Sequence, residues 1–206
     1  MKLVSDSLTF VIVGDWNQFY LDTSKIVSNV FQKDKVTLEM GWSSDGSASL
    51  LLKDEYCTLQ PSSEKFILTA SSLEKATVER FDALRVSLIK YAVSPMVKAY
   101  GFNIRLAGGD PLALASAVDN FQDSSKLTET GAIVEFSQFN QKVLYEGMSF
   151  NITYSFGQKD SLAIAVNQHT EHNGSSDAIE LSNIAGREFL DRVIKLFTSI
   201  GYSFEG

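Results

Sequence analysis

The sequence predicts an α+β fold made of one unit used twice: a strand, a short helix, three or four antiparallel strands and a long helix. Each half opens with an apolar strand that ends in Gly-Asp, at Val11–Asp15 and at Ile104–Asp110. Each half then contains a helix-like stretch ending in Phe-Gln, and closes with a helical pattern that stops at an aromatic-glycine sequence. A shared order of elements favours an internal duplication. We therefore divide the chain into a first repeat unit, 1–101, and a second, 102–206, within one compact pseudo-symmetric domain.

The short helix of the first unit is predicted over Trp16–Gln32. Asp15 is its expected N-cap, because the carboxylate can accept hydrogen bonds from the free amides of the first turn, and Gln18 completes a capping-box pattern. Apolar side chains recur at near-helical spacing through this segment. In the second unit, Asp110 is the matching N-cap, and Pro111 occupies the first helical position, where its missing N–H costs nothing.

Alternating apolar and polar residues predict the antiparallel strands of both units. In Lys35–Trp42, the side chains of Val36, Leu38 and Met40 share one face, and a turn with an Asp-Gly hairpin signal follows. The other strands predicted in the first unit are Leu8–Val13, Ala48–Leu52, Glu55–Leu59 and Lys65–Thr69. Those predicted in the second unit are Gly131–Ser137, Lys142–Tyr145, Met148–Phe156 and Ser161–Asn167.

Each unit is predicted to close with a long amphipathic helix. The first begins at a capping box formed by Ser71 and Glu74. Pro95 should kink or end it, although a last turn could run on to Gly101. The second begins near residues 182–183 and stops at Gly201, which suits a C′ position that needs positive φ.

This order of elements resembles the repeat of the TATA-binding-protein fold, a saddle built from two such units. The resemblance implies one curved antiparallel sheet with the long helices on its convex side. The DNA-binding function of that family implies a basic concave surface with apolar wedges, and this chain departs from the pattern in its charge. The chain carries no motif specific to that family, so no DNA-contacting residue is carried over.

The net charge of −7 is distributed unevenly between the halves. Residues 1–101 contain 11 basic and 12 acidic side chains, whereas residues 102–206 contain 7 basic and 13 acidic ones. Because an acidic surface repels phosphate backbones, nucleic acid is disfavoured as a partner.

Compartment and membrane association are also constrained by composition. No apolar run approaches the roughly 20 residues of a membrane span, and the first residues lack the pattern of a signal peptide. The single cysteine, Cys57, can form no intramolecular disulfide, which suits a reducing compartment. We therefore expect a cytoplasmic protein without a membrane partner.

The sequence contains few groups suited to catalysis or metal binding. His169 and His172 could form half of a metal site with Glu171, but they run into Asn-Gly-Ser-Ser-Asp, which is typical of a solvated loop. The Gly108–Pro111 turn lacks the G-x-G-x-x-G spacing of a phosphate-binding loop, and its Asp would occupy the place of the anion. We therefore predict no catalytic residue, no metal ligand and no cofactor.

Four aromatic residues are the candidate interface positions. Most of the 14 phenylalanines are expected in the core. Trp16 and Trp42 are expected at the surface, and with the pair Phe136 and Phe139 they could form an interface patch.

These observations favour a non-enzymatic protein that binds a protein partner, or a second copy of itself, through its sheet or a sheet edge. The alternative is a small-molecule-binding protein or enzyme with a pocket between the sheet and a long helix. A contiguous apolar patch on the sheet would favour the first hypothesis, and an enclosed pocket with converging polar groups would favour the second.

Overall fold

The protein has an α+β fold in which helices pack on one face of a ten-stranded antiparallel sheet. The computed structural model describes residues 1–16, 21–42, 48–92, 97–108, 136–157, 161–171 and 185–204. Both halves of the chain contribute strands to this one sheet. The predicted fold class is therefore confirmed at the level of an α+β protein with an antiparallel sheet.

The sheet is a single path of neighbouring strands with one short addition. Its strands are β1 Lys2–Leu3, β2 Thr9–Gly14, β3 Thr37–Trp42, β4 Ala48–Lys53, β5 Cys57–Pro61, β6 Lys65–Ala70, β7 Val97–Ala107, β8 Phe136–Tyr145, β9 Met148–Gly157 and β10 Ser161–Glu171. The order across the sheet is β3-β4-β5-β6-β2-β7-β10-β9-β8, and β1 pairs with β7. Within the part of the chain that is described, β3 and β8 are therefore the two opposite edges of the sheet.

The short helix begins later than predicted. Helix α1 spans Thr23–Ile26 and continues as a π-helix over Val27–Phe31. Its N-cap is Asp22, whose carboxylate accepts from the amides of Ser24 (2.9 Å) and Lys25 (3.4 Å). The prediction of Asp15 as N-cap of this helix is wrong, because the helix begins at Thr23 and Asp22 caps it. The Asp15 carboxylate forms an exposed ion pair with the Lys98 ammonium at 2.7 Å.

The described residues also contain two long helices. Helix α2 spans Lys75–Ala92 and helix α3 spans Gly186–Ser199. Just before α2, the amide of Glu74 donates to Ser72 Oγ at 3.4 Å, and the carbonyl of Glu74 accepts from the amide of Val78. The capping box predicted from Ser71 and Glu74 is therefore displaced, since Glu74 is itself the residue that precedes the helix. The predicted positive φ of Gly201 is confirmed at +97°.

The core lies between the sheet and these helices and is centred on Phe102 of β7. The Phe102 ring lies 5.0 Å from Phe10 of β2, 6.4 Å from Phe81 of α2 and 5.2 Å from Phe189 of α3, measured between ring centroids. The guanidinium of buried Arg85 lies 5.8 Å from the centroids of both Phe10 and Phe102. These contacts join strands and helices from both halves of the chain in one core.

Asp82 connects the two long helices. One of its carboxylate oxygens accepts from the amide of Gly186 at 2.6 Å and lies 3.4 Å from Arg85 Nε, and the other accepts from the amide of Arg187 at 3.4 Å. An acidic side chain of α2 thus satisfies free amides at the start of α3, where negative charge is favoured.

The largest departure from the predicted elements is β7. The segment expected to end the first long helix at Tyr100–Phe102 lies instead within this 11-residue strand, so the proposed boundary at 101/102 falls inside a strand. Gly101 serves a different purpose from a helix cap, because an added Cβ would collide with the backbone carbonyl oxygen of Gln168 on β10. The predicted strand Lys142–Tyr145 is part of the longer β8, and the predicted helix after Asp110 lies outside the described residues.

Candidate protein-interaction edge

Strand β3 is an edge strand with an apolar stripe. Among the described residues it pairs with β4 alone, in a register that places Leu38 opposite Leu52 and Met40 opposite Leu50. Leu38 is 51% exposed, Met40 63% and Trp42 72%. Because alternate residues of a strand point to the same face, these three side chains form one row, which we call the β3 stripe.

Among the described residues, the helical cover of the sheet ends near β4, which leaves the stripe exposed. Leu52 of β4 belongs to the buried core, whereas Leu38, its partner on β3, is half exposed. Both side chains lie on the face that carries α1 and the π-helix, since both line a groove beside those helices. The stripe is therefore an outward continuation of the hydrophobic core, without a covering layer from the described residues.

A groove of about 550 Å³ opens at the Leu38 end of the stripe. It is lined by apolar side chains, hydroxyls and charged groups from α1, the π-helix, the following loop and the first two strands of the sheet path: Thr23, Ser24, Val27, Ser28, Lys33, Asp34, Lys35, Val36, Leu38 and Leu52. The π-helix contributes part of this wall, and such irregular turns occur frequently at functional sites. The groove can accept an apolar group and offers hydroxyls and ammonium groups for a polar one.

A buried carboxylate fixes one end of the groove wall. The side chain of Asp54, 2% exposed, accepts from Arg80 Nε at 3.0 Å and from the amides of Tyr56 (3.0 Å) and Cys57 (2.9 Å). The ammonium of Lys33, which lines the groove, lies 3.4 Å from the same carboxylate. Burial alone would raise the pKa of Asp54, but these hydrogen bonds and the nearby cations hold that pKa below its ordinary value. Asp54 therefore stays ionised and anchors Lys33.

The opposite face of β3 is polar. Glu39 points there and forms an ion pair with Lys53 of β4 at 2.5 Å. Both side chains are partly exposed, so this pair contributes little to stability. Its consequence is that the negative charge of Glu39 is partly neutralised within the chain.

The sheet face away from the helices carries a polar row beside partly exposed apolar residues, among them the paired Val11 and Ile67 of β2 and β6. A row of paired polar residues crosses six adjacent strands there: Thr58, Thr69, Thr9, Asn103, Asn167 and Asn151. Within it, Asn103 Nδ2 donates to Thr9 Oγ1 at 3.0 Å, and Asn167 Nδ2 donates to Asn103 Oδ1. The side chains of Asn103 and Asn167 therefore hydrogen-bond within the row. The most exposed large apolar side chains of the described sheet lie instead on its edge strands, three of them on β3.

The four aromatic candidates do not come together. Trp16 is 4% exposed, with its ring against Phe66 at 4.8 Å, so the expectation of an exposed Trp16 is wrong. Trp42 is exposed, as expected. Phe139 is half-buried beside Tyr154 on β9, and Phe136 lies on β8, although its side chain is outside the described part. Trp42 and the two phenylalanines therefore lie at opposite edges of the sheet.

The groups considered for metal or covalent chemistry have ordinary surroundings. His169 lies exposed on β10 and not in the expected loop, while His172 is outside the described residues. The thiol of Cys57 is buried, and this burial, with the nearby Asp54 carboxylate, raises its pKa to about 12. The described segments contain no group of three or more His, Cys, Asp or Glu side chains placed to hold a metal ion.

Sequence reasoning identified Trp42 but missed Leu38 and Met40 as surface residues. Their alternation correctly placed them on one face, but it did not indicate that this face is exposed at β3. One feature of the sequence could have indicated that these two residues are exposed. The same row continues to Trp42, and a tryptophan at the end of a strand suits a partly solvated position.

Comparison with known proteins does not add a function to this geometry. No family model matches the chain, and a search of curated proteins finds no significant match. Among the helices of the described residues, none combines the length and apolar character needed to cross a bilayer.

Proposed function

We propose that this is a non-enzymatic protein-interaction protein that docks a protein partner against the free edge of β3. The observation that carries the proposal is the β3 stripe, formed by Leu38, Met40 and Trp42, on a strand whose outer side pairs with no described residue. Of the five large apolar side chains most exposed in the described residues, three belong to this stripe. Concentration of exposed apolar side chains at one place is typical of interaction sites.

The free edge supplies a second attractive element. The outer side of an edge strand presents unpaired N–H and C=O groups, and soluble proteins normally blunt such edges with proline, charge or a covering segment. The described β3 segment contains no proline, and its one charged residue, Glu39, is paired with Lys53 on the polar face. A partner strand could therefore add to β3 through main-chain hydrogen bonds while its side chains cover the stripe.

The ionisable groups in the described interior have structural roles, which supports the non-enzymatic part of the proposal. Asp54 holds a turn and Lys33, and Asp82 joins two helices. The raised pKa of Cys57 suppresses the thiolate that a nucleophile would need.

The test is a comparison of partner capture by matched variants. Tagged wild-type protein, Met40→Lys and Trp42→Ala are incubated with extract of the native cells, and each captured protein is quantified. Leu144→Lys is the control, because Leu144 is 77% exposed on β8 at the opposite edge. We expect at least one partner to be captured about tenfold less by both β3 variants and equally by the control. Equal capture by all four proteins would refute a role for β3.

A second candidate function is binding of a small apolar molecule with an anionic group in the groove. It is favoured by the volume of about 550 Å³ and by the lining of Val27, Val36, Lys33 and Lys35. This groove lies beside the short helix, whereas the pocket expected from the sequence lay beside a long one. Titration with an anilinonaphthalene sulfonate dye should show saturable fluorescence that Lys35→Ala weakens. Identical titration curves for both proteins would count against this candidate.

We also infer that the two halves arose by duplication and form a saddle like that of the TATA-binding-protein fold. This is supported by the pairing of β2 with β7 at the sheet centre. Strand β2 also pairs with β6, the last strand of the series β3–β6, and β7 also pairs with β10, the last strand of the series β8–β10. Each series is followed by a long helix. An experimental structure should superpose β2 and its series on β7 and its series by a rotation near 180°. A rotation far from two-fold would contradict the inference.

A further inference from the structure

We propose that the occupant of the β3 edge is a second copy of this chain, which pairs β3 with β3 in an antiparallel register centred on Met40. The inference rests on the proposed function and names its partner. In this register Leu38 of one copy lies opposite Trp42 of the other, and the two Met40 residues face each other across a two-fold axis. All of these side chains lie on one face, because directly paired residues share a face.

Two registers centred nearer the start of β3 fit less well. Centring the pairing on Glu39 would place two like charges directly opposite each other, which is destabilising. Centring it on Leu38 would place Trp42 opposite Asp34 and leave the indole without an apolar partner. The Met40-centred register instead pairs Glu39 with Gly41, so the two Glu39 residues are diagonal neighbours about 7–8 Å apart and not directly opposite. Each of them is already paired with Lys53 of its own copy. The stripe is thus self-complementary in sequence, as a two-fold interface requires.

The groove gives Trp42 of the second copy a place to bind. Leu38 lines the groove and is the residue that pairs with Trp42 of the other copy in this register. The incoming indole would therefore lie at the groove mouth, beside the apolar side chains of Val27 and Val36. Ser28 in the same lining offers an oxygen that can accept from the indole N–H. One docking event would place an indole at the groove mouth and cover the stripe.

The size of the interface predicts a weak, reversible dimer. With 72% of Trp42 exposed, each indole has roughly 110–180 Å² available to bury. Two indoles and the smaller Leu38 and Met40 contributions fall below the roughly 1,200 Å² of a stable complex, so a micromolar or weaker Kd is expected. Because each copy carries a formal net charge of −7, the dimer should also strengthen with added salt, which screens the repulsion.

Cysteine cross-linking tests the register directly. Across the axis, the two residues at position 40 have Cα atoms about 4.5–5.5 Å apart, within the roughly 4.4–6.8 Å range of a disulfide. Position 38 of one chain lies four residues away from position 38 of the other chain, about 13 Å along the strand. Met40→Cys should therefore form a disulfide-linked dimer under mild oxidation, whereas Leu38→Cys alone should not. Mixing Leu38→Cys with Trp42→Cys should restore the cross-link. The native Cys57 is buried and does not compete.

Mass and fluorescence measurements use the chain without added cysteine. Sedimentation of the wild type from about 1 to 500 µM should show a mass rising from 22.7 kDa towards twice that value. Met40→Lys, which places two ammonium groups at the axis, should raise the Kd of the dimer at least about tenfold. Leu144→Lys should leave the Kd unchanged. Tryptophan emission should shift to shorter wavelength over the same range, and Trp42→Phe should abolish this shift because Trp16 is already buried.

Two results would overturn the inference. A wild type that stays monomeric at about 500 µM is one, and Leu38→Cys cross-linking as fast as Met40→Cys is the other. If the chain is monomeric but Met40→Lys still loses a captured partner, the occupant is a different protein and the proposed function stands. If capture is also insensitive to β3 variants, both proposals fail.

Discussion

Replacement of Asp54 by alanine should destabilise the protein more than any single surface change near the β3 edge. The buried carboxylate accepts from two backbone amides and from Arg80, and it holds Lys33 in the groove wall. Asp54→Ala removes all four interactions. Asp54→Asn keeps a side-chain oxygen that can accept from the amides of Tyr56 and Cys57, but it removes the charge that pairs with Arg80.

The magnitude follows from these contacts. Two backbone hydrogen bonds contribute about 0.5–1.5 kcal/mol each, and a hydrogen bond to a charged group about 1.5–3 kcal/mol. Lys33 adds little, because its side chain is 41% exposed and its attraction is screened by solvent. We expect a loss of about 3 kcal/mol in the free energy of unfolding for Asp54→Ala and about 1–2 kcal/mol for Asp54→Asn. For a chain of this length, 3 kcal/mol lowers Tm by roughly 6–12 °C.

Urea unfolding of the three proteins between pH 2.5 and 7 is the assay. The folded-state pKa of Asp54 is below the ordinary value of 3.8, so its stabilisation is fully present above 3.8 and is lost as pH falls below it. The difference in stability between wild type and Asp54→Asn should therefore be constant near neutral pH and shrink below pH 3.8. A cost under about 1 kcal/mol for Asp54→Ala, or a difference that grows on acidification, would refute this reasoning.

Three further predictions concern the core and the single thiol. Gly101→Ala should lower the free energy of unfolding by at least about 2 kcal/mol in urea titrations, because the new Cβ collides with the carbonyl of Gln168; a neutral result would show that β7 and β10 are less closely spaced. Asp82→Ala should cost about 2–3 kcal/mol by the same assay, since the amide of Gly186 loses its acceptor and buried Arg85 loses one partner; an unchanged midpoint would exclude this link between α2 and α3. Cys57 should react with an aromatic disulfide reagent at pH 8 at least about a thousandfold more slowly in native than in unfolded protein, since burial and the Asp54 carboxylate raise its pKa to about 12; comparable rates would contradict its burial.

The positions of the strands were largely predictable because they depend on local alternation. The predicted segments Ala48–Leu52, Lys65–Thr69 and Met148–Phe156 each fall within one residue of β4, β6 and β9 at both ends. Cap positions were less predictable, since Asp15 and Asp22 both precede apolar helical patterns. Only tertiary contact with Lys98 distinguishes Asp15 as an ion-pair residue.

The full length of strand β7 was not predicted because its central glycine, Gly101, is compatible with two different structures. Gly101 after Tyr100 is equally compatible with a helix end and with a strand that approaches another backbone closely. The choice depends on Gln168, 67 residues away in the sequence. Long-range contacts of this kind leave no local signal.

The candidate edge illustrates the same limit for the binding site. The sequence placed Leu38 and Met40 on one face of a strand, but it could not show that α1 and the π-helix stop short of that face. Trp16 and Trp42 could not be told apart either, because burial of Trp16 depends on packing against Phe66 of β6. Exposure of an apolar residue is a property of the whole fold.

Hydrogen exchange of the β3 amides tests the central claim, that this edge is covered by a protein, most directly. In dilute wild-type protein, the amides of Thr37–Trp42 that face away from β4 should exchange rapidly. At about 500 µM, or with the captured partner added, those amides should become protected, whereas amides of the opposite edge strand β8 should not change and Met40→Lys should show no protection. Exchange at β3 that stays rapid under every condition in which the protein associates would contradict the account.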